Sequence, residues 1–285
     1  MPLVIKDQPS RRELGVPPYP GLSRFQTVPT KQLIIIIAVL CVIALGLGYW
    51  VGLPKEGSGN SGDKKEPEFL KQGLVAYYPF NGNAKDESGN GNDGEVSGAT
   101  LTKDRHGNTD KAYGFDGTND SITLPSDIFI GIEGFTLAVW VRLNSSSPQH
   151  FLISGATKGD DNKLLIGIWN KHFCIRSKNE HHEIMPEAEL MGSWKHIAVT
   201  KPSDKTTFAL FIDGMLRKSV SFTTHHADRF VFAPGGLMIG PDQDSVGGGF
   251  QSGQLLKGTV DDYRIYNRAL SEAEVKALYE FEKVK

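Results

Sequence analysis

The sequence predicts an all-β domain, a sandwich of two antiparallel sheets, with one helix at its C-terminal end. From Leu74 onward, short apolar runs alternate with clusters of Gly, Asn, Asp and Ser, which is the pattern of strands joined by turns. The 285 residues include 32 glycines, a number that suits many tight turns. About ten antiparallel strands in one domain favour two packed sheets.

The predicted strands follow one another without an intervening helix. In the run at 135–143, alternate residues from Phe135 to Val141 share one face, which indicates a half-buried antiparallel strand. The strand-sized runs are LVAYYPF, AYGFDGTNDSITLP, FTLAVWVRL, HFLISGA, LLIGIWN, HFCIRS, WKHIAVTK, FALFIDGMLRKSV, GLMIG and LKGTVDDYRIY.

Two features mark the connections between strands. Asp213-Gly214 lies between apolar runs and supplies the positive φ angles that a type I′ hairpin requires. The stretch NGNAKDESGNGNDG at 81–94 has almost no apolar residue, so we expect a loop there.

The chain ends with a helix signal. Ser271 followed three residues later by Glu274 forms a capping box, and Leu270 with Val275 occupies the positions of a hydrophobic staple. Apolar residues at 275, 278 and 279 form one stripe, so we expect this helix to pack on the sandwich.

The N-terminal part contains a long apolar run. Leu33–Val51 comprises nineteen residues without a charge, Asn, Gln, Ser, Thr or Pro, about the length that crosses a bilayer as a helix. Tyr49 and Trp50 near its end are typical of an interfacial aromatic belt. We expect a disordered tail at 1–32, a transmembrane helix at 33–53, a linker at 54–71 and the folded domain at 72–285.

Two other interpretations of this run are a buried core helix and a cleaved export signal. The run has no polar face, and no A-x-A-like cleavage site follows it, so a retained signal anchor is favoured. Five Lys and Arg residues precede the run and four follow it before residue 72. This small bias favours a cytoplasmic N terminus and an extracellular or periplasmic domain.

Charge and cysteine content limit the classes of function. The formal net charge of −2 provides no basic field for nucleic acid. Cys41 lies in the predicted membrane helix and Cys174 in the domain, so the two cysteines cannot pair within one folded chain. We therefore expect the domain to fold without a disulfide.

The order of the motifs resembles a known superfamily. The segments AYYPFNGNAKDESGNGNDG, FDGTNDSITLP, FTLAVWVRL, WKHIAVTK, FIDG and GTVDDYRIYNRALSEAEV together resemble the laminin-G-like members of the concanavalin A-like lectin/glucanase superfamily. The resemblance implies a jelly-roll sandwich. Within that superfamily, residues 111–279 are most similar to the pentraxins.

Two segments carry the resemblance to the pentraxin calcium site. Residues 240–250 and Gln254 are similar to the pentraxin calcium loop, and residues 154–162 to the segment that ends in its Asp-Asn pair. The resemblance implies two calcium ions. Carboxylate, amide and carbonyl oxygens are the ligands that calcium prefers. The implied ligands of the second ion are Asp242, Asp244 and Gln254. Those of the first ion are Asp161, Asn162, Asp242, Asp244 and the backbone carbonyl of Gln243.

The sequence departs from the pentraxin pattern at several positions. Gln251 stands where the loop has an acidic ligand to the second calcium, and Ala138 with Ala198 replaces a pair of cysteines. The phenylalanine of the choline pocket falls near Gly167, so phosphocholine specificity is not carried over. No residue is assigned to ligand contact.

Other polar clusters suggest further sites. Loop residues and an Asp-Asp pair could hold a structural ion, although Asn and Asp are also ordinary turn formers; they are Asn83, Asp86, Asn90, Asp93, Asp261 and Asp262. His181-His182-Glu183 and His225-His226 have no recognisable zinc spacing.

Enzymatic activity is tested by the carboxylate pattern. Glu187 and Glu189 would lie on one face of a strand at a separation suited to an inverting glycosidase, but Pro186 favours a loop. We therefore expect no enzyme, and a membrane-anchored, calcium-dependent, lectin-like protein that binds a carbohydrate or a phosphorylated ligand. The alternatives are an adhesive module with calcium stiffening a loop and, less favoured, a glycoside hydrolase. Homo-oligomerisation stays open.

Overall fold

A computed structural model describes residues 65–144, 149–177, 180–203, 206–223 and 230–284, without the side chains of residues 160–162. The tail, the apolar run at 33–51 and the linker up to residue 64 lie outside these ranges. Every helix within them is too short or too polar to cross a bilayer. The structure therefore leaves the predicted membrane helix untested.

The described residues form an all-β domain with one α-helix, α1, at Glu272–Glu282. Short 3₁₀ helices lie at Glu68–Lys71, Ser126–Phe129 and Glu187–Glu189. The fifteen strands of the described ranges are β1 Leu74–Tyr78, β2 Glu95–Ser97, β3 Thr100–Thr102, β4 Ala112–Asp116, β5 Ser121–Thr123, β6 Phe135–Leu143, β7 Gln149–Thr157, β8 Asp160–Trp169, β9 His172–Ser177, β10 Glu180–Pro186, β11 Lys195–Lys201, β12 Thr207–Ile212, β13 Met215–Ser221, β14 Leu237–Gly240 and β15 Lys257–Tyr266.

These strands pair into two antiparallel sheets, as the sequence predicted. The first sheet has the order β13-β12-β11-β6-β15-β4-β3, with β1 also paired to β15. The second sheet has the order β10-β9-β8-β7-β14-β5-β2. Apolar side chains from both sheets form one large core between them.

Strand β6 shows why the first sheet is buried on both sides. Its residues Phe135, Leu137, Val139 and Val141 face the core between the sheets, as predicted. Its other face is also buried, because Ala138 packs in a second apolar cluster with residues of α1. The strand is therefore buried on both faces instead of half-buried, since helix α1 covers the outer face of this sheet.

The predicted capping and turn signals are confirmed. Ser271 and Glu274 form both hydrogen bonds of a capping box at the start of α1, and Leu270 and Val275 share one apolar cluster. Asp213 and Gly214 both have positive φ angles, +52° and +75°, between the paired strands β12 and β13.

The sequence missed three strands and placed the start of the domain late. Strands β2 and β3 have three residues each and β10 is largely polar, so none carries a strong apolar pattern. Leu70, within the predicted linker, is fully buried against α1. The side chain of Glu66 forms an ion pair with Arg264.

Candidate functional site

The first segment of the expected calcium site lies in the hairpin between β7 and β8. Thr157 pairs with Asp160 across a tight turn in which Gly159 has a φ of +89°. Asp161 and Asn162 are therefore the next residues along β8 after the turn. Their side chains lie outside the described part of the structure, so their role as ligands stays a prediction.

The second segment, the loop at 241–254, folds back along β14 and is held by one buried side chain. Gln243 is fully buried, and its Nε2 donates hydrogen bonds to Ser154 Oγ at 2.9 Å and Gly236 O at 3.2 Å. Its Oε1 accepts a hydrogen bond from the backbone N–H of Gly247 at 2.8 Å. This Gln243 clamp places the loop beside β7, which leads into the hairpin that carries Asp161.

The expected ligands within the loop lie close to one another. Asp242 is buried, and its backbone N–H donates to the carbonyl of Gln254 at 2.8 Å. Asp244 is exposed, and its Oδ2 accepts a hydrogen bond from Gln251 Nε2. The backbone N–H of Gln251 in turn donates to Gln254 Oε1 at 3.1 Å. The structure therefore brings together Asp242, Asp244 and Gln254. Gln251, which departs from the pentraxin pattern, lies beside them.

Glycines give the loop its curvature. Gly249 has a φ of +74°, and a Cβ there would lie 3.0 Å from the Cβ of Asp244. Gly247 has a φ of +68° and approaches the carbonyl of Gly235. At these two positions the loop needs a backbone conformation that residues other than glycine rarely adopt.

The donor set fits calcium chemically. Asp242 and Asp244 provide carboxylate oxygens and Gln254 an amide oxygen, all hard ligands. Because the side chain of Gln243 is used in the clamp, its backbone carbonyl is the group left to act as a ligand, as the resemblance implied. The side chain of Asp161 lies outside the described part of the structure. Among the side chains that are described, no group of three His, Cys, Asp or Glu residues is placed to hold a metal ion.

The second acidic cluster is divided between different partners. Asp86 accepts backbone hydrogen bonds from Tyr77 and Asn92, each at 2.9 Å, and Asp93 accepts one from the N–H of Asp86 at 2.8 Å. Asn83 accepts a hydrogen bond from the N–H of Lys85 in this loop, and Asn90 donates one to the carbonyl of Leu74 on β1. These side chains form turns of the loop and tie it to β1.

Asp261 and Asp262 instead bind a buried arginine. Arg105 forms ion pairs with both carboxylates, 2.7 Å from that of Asp262, and its guanidinium lies 4.8 Å from the ring centre of Trp140. A bulge in β15 and a φ of +42° at Asp262 let consecutive side chains reach the same cation. Burial, together with Asp262, raises the pKa of Asp261 to about 8 despite the attraction of Arg105.

This ion network continues under α1 and was missed from the sequence. The carboxylate of Glu282 accepts hydrogen bonds from Arg264 Nε at 2.7 Å and Trp140 Nε1 at 2.9 Å. Arg264 also pairs with Glu66, so one buried cation joins both ends of the domain. Burial, with the charges of Arg105 and Arg264, lowers the pKa of neighbouring His196 to about 3. The one available signal was Asp261-Asp262 inside an apolar run, which requires a cation.

The remaining candidates behave as ordinary strand and loop residues. His181 and His182 point to opposite faces of β10, since His181 contacts Trp169 while His182 contacts Phe222. His225 and His226 lie outside the described residues.

The carboxylate pair suggested for catalysis does not lie on a strand. Glu187 and Glu189 form a 3₁₀ turn in which Glu187 is buried and Glu189 pairs with Arg217. The loop that Pro186 favoured is confirmed, and the strand geometry assumed for an inverting pair is absent at these two residues.

Comparison with protein families identifies relatives of this domain. Residues 116–276 match a family described as belonging to the concanavalin A-like lectin/glucanases superfamily. Pentraxin-4 of Homo sapiens is 30% identical over 168 residues, which cover 56% of this chain and 34% of Pentraxin-4. C-reactive protein 1.1 of Limulus polyphemus is 28% identical over 172 residues, 56% of this chain and 69% of that protein. The chain thus spans about a third of Pentraxin-4.

Solved structures share the fold at lower identity. The binding domain of Paraclostridial Mosquitocidal Protein 1 superposes with a TM-score of 0.55 at 21% identity, covering 74% of this chain and 52% of that one. Domain 4 of AbnA, an arabinanase from Geobacillus stearothermophilus solved with arabinotriose, gives 0.53 at 18% identity over 72% of this chain and 98% of that domain. These similarities show the fold alone.

Proposed function

Because the chain belongs to the concanavalin A-like lectin/glucanases superfamily and has pentraxins among its relatives, we propose that its domain is a calcium-dependent, lectin-like binding module. Its ligand is a carbohydrate or a phosphorylated group, bound without catalysis. The apolar run at 33–51 anchors the protein in a membrane, with the N terminus cytoplasmic and the domain outside.

The Gln243 clamp is the observation that carries this proposal. It holds the loop at 241–254 against the strand that leads to Asp161 and Asn162. The pentraxin resemblance implies that these two segments meet at the calcium site. The buried carboxylate of Asp242 and the exposed carboxylate of Asp244 flank the clamped residue in sequence. Side chains from one loop and one hairpin can thus supply most of a calcium shell.

Asp161, Asn162, Asp242, Asp244 and the carbonyl of Gln243 would hold the first ion in this proposal. A bound calcium ion supplies a positive centre that ligand hydroxyl or phosphate oxygens can complete. The exposed side of the loop, around Asp244, leaves room for such a ligand.

Substitution of one loop carboxylate tests the proposal. Asp244→Asn should weaken calcium binding by about tenfold or more in a calorimetric titration, because the shell loses a charge. Asp86→Asn is the matched control, since the side chain of Asp86 accepts hydrogen bonds from Tyr77, Ser88 and Asn92, all outside the candidate calcium loop. Gln251→Glu should tighten the second ion by restoring an acidic ligand. Parent-like binding by Asp244→Asn would contradict the assignment.

A second candidate function is an adhesive module in which calcium only stiffens the loop. It is favoured by the internal bonds of Gln251 to Asp244 and Gln254, which close the loop on itself. Ligand binding that persists in chelator would support this module over the calcium-dependent one.

A further inference from the structure

The candidate calcium loop, at 241–254, is closed by bonds between its own residues. A β-bridge joins Pro241 to Leu255, where the loop begins and ends. Nearer the tip, the backbone groups of Ser245 and Gly248 exchange two hydrogen bonds, at 3.2 Å and 3.0 Å. The loop therefore has a folded conformation that is built from groups of the chain alone.

One exposed residue of the loop, Gln251, binds two of the predicted calcium ligands. Its Nε2 donates a hydrogen bond to Oδ2 of Asp244, and its backbone N–H donates to Oε1 of Gln254 at 3.1 Å. An ionised carboxylate only accepts hydrogen bonds and a backbone N–H only donates, so the partners fix the orientation of both side-chain amides. Gln251 thus gives its donors to two oxygens that the resemblance assigns to a second ion.

These hydrogen bonds compete with a cation for the same two oxygens. An N–H group presents partial positive charge to the oxygen that it binds, and this charge repels a calcium ion at the same place. Gln251 also supplies no negative charge. The predicted carboxylate ligands Asp161, Asp242 and Asp244 carry three negative charges, which suit one divalent ion but fall short of the four positive charges of two.

The ligands predicted for the first ion are left for that ion. Gln251 binds Oδ2 of Asp244, and Oδ1 of the same carboxylate can face the first ion. Gln254, whose amide oxygen Gln251 also binds, is predicted as a ligand of the second ion alone. The contacts of Gln251 therefore close the second position and spare the first.

We propose that Gln251 takes the place of the second calcium ion, so that the candidate calcium loop closes on its own and binds a single ion, an inference that rests on the proposed function. The amide of Gln251 holds Asp244, and its backbone N–H holds Gln254, as the ion would hold both. The loop is then ordered before calcium arrives, and the ion completes a preformed shell. Gln251 is therefore the residue that sets how many ions the loop takes.

The number of bound calcium ions tests this role. The full chain, freed of metal by chelator and dialysis, is titrated calorimetrically with calcium, and bound calcium is counted separately by equilibrium dialysis. The parent should bind one ion and Gln251→Glu two, since the glutamate supplies a fourth carboxylate. Gln72→Glu is the matched control and should bind one ion, because Gln72 is also exposed but lies before β1, where its carbonyl binds Arg268.

Hydrogen exchange in chelator tests whether the loop closes without calcium. The exchange of backbone N–H groups at 241–254 is followed by mass spectrometry of the full chain. Gln251→Ala removes the hydrogen bond to Asp244 and should speed this exchange by about threefold or more. Because the contact is exposed, the rest of the domain should exchange as in the parent. Gln72→Ala, the matched control, should leave the exchange of the loop unchanged.

The outcomes separate the role of Gln251 from the proposed function. Two ions in the parent, or one ion in Gln251→Glu, would overturn the role while calcium binding itself stood. Equal exchange of the loop in the parent and in Gln251→Ala would overturn it as well. If the parent bound no calcium, the proposed function would fail by itself. Faster exchange in Gln251→Ala would then still support closure of the loop by Gln251, and equal exchange would overturn it.

Discussion

Replacement of Gln243 by methionine tests whether the clamp sets the geometry of the candidate calcium site. Gln243 is fully buried, so methionine keeps the volume and the apolar contacts of the side chain. The substitution removes the amide that donates to Ser154 and Gly236 and accepts from Gly247. The buried carbonyl of Gly236 then loses one of its two donors, and the N–H of Gly247 loses its acceptor, which costs free energy.

The expected magnitude follows from these bonds. An amide offers two N–H donors and one carbonyl acceptor here, and each net hydrogen bond contributes about 1 kcal/mol. Gln243→Met should therefore lower the free energy of unfolding by about 3 kcal/mol. For a domain of this size, each kcal/mol shifts Tm by about 2–4 °C, so we expect a decrease of about 6–12 °C.

Scanning calorimetry of the parent and the variant, in chelator and in millimolar calcium, measures both consequences. The Tm should fall in either buffer, and calcium affinity should fall by about tenfold or more because the loop is no longer held beside β7. Gln251→Met is the matched control, as Gln251 is exposed on the same loop and should change Tm by no more than about 2 °C.

Two results would refute this reasoning. If Gln243→Met changed Tm no more than the control, the clamp would contribute nothing to stability. If Tm fell but the calcium titration stayed the same, the position of the loop would not determine ion binding, and the calcium site would have to be placed elsewhere.

Two further predictions concern the first sheet. Ala138 and Ala198 are direct cross-strand partners, so a double cysteine variant should oxidise and gain about 2–4 kcal/mol of stability; equal Tm values in the oxidised and reduced forms would contradict this. The pKa of His196 is lowered from 6.5 to about 3, so below pH 6.5 the unfolded chain binds a proton that the native state does not, and stability decreases as pH falls towards 3. In denaturant titrations at pH 4, 5 and 7, His196→Gln should show a smaller decrease; an unchanged slope would show that His196 does not contribute.

Local sequence patterns predicted those elements whose bounds depend mainly on neighbouring residues. Strand β6 begins and ends at the residues of the predicted run, and the helix cap at Ser271 is present, because both depend on neighbouring residues. Strand β10 was missed because it lies at a sheet edge and begins with Glu and His residues. This segment forms a strand through its pairing with β9, which the local pattern does not show.

Side-chain roles that depend on long-range contacts could not be predicted in the same way. Gln243 was expected to act through its backbone, but its side chain reaches Ser154, 89 residues away in sequence. Arg105 lies 156 residues from its partner Asp261, and nothing near Arg105 in sequence indicates a buried ion pair. Both roles arise when the loops are placed by the sheets, so they follow from topology and not from local pattern.

The outer faces of the two sheets have different roles in the domain. On the first sheet, α1 and the ion pairs of Arg264 with Glu66 and Glu282 cover the surface and fix both ends of the domain. On the second sheet, the Gln243 clamp holds the candidate calcium loop beside β7. Glu66 therefore lies on the side of the domain opposite the candidate binding surface at this loop. A ligand can approach that surface without displacing α1, so binding should leave the buried ion pairs, and the stability that they contribute, unchanged.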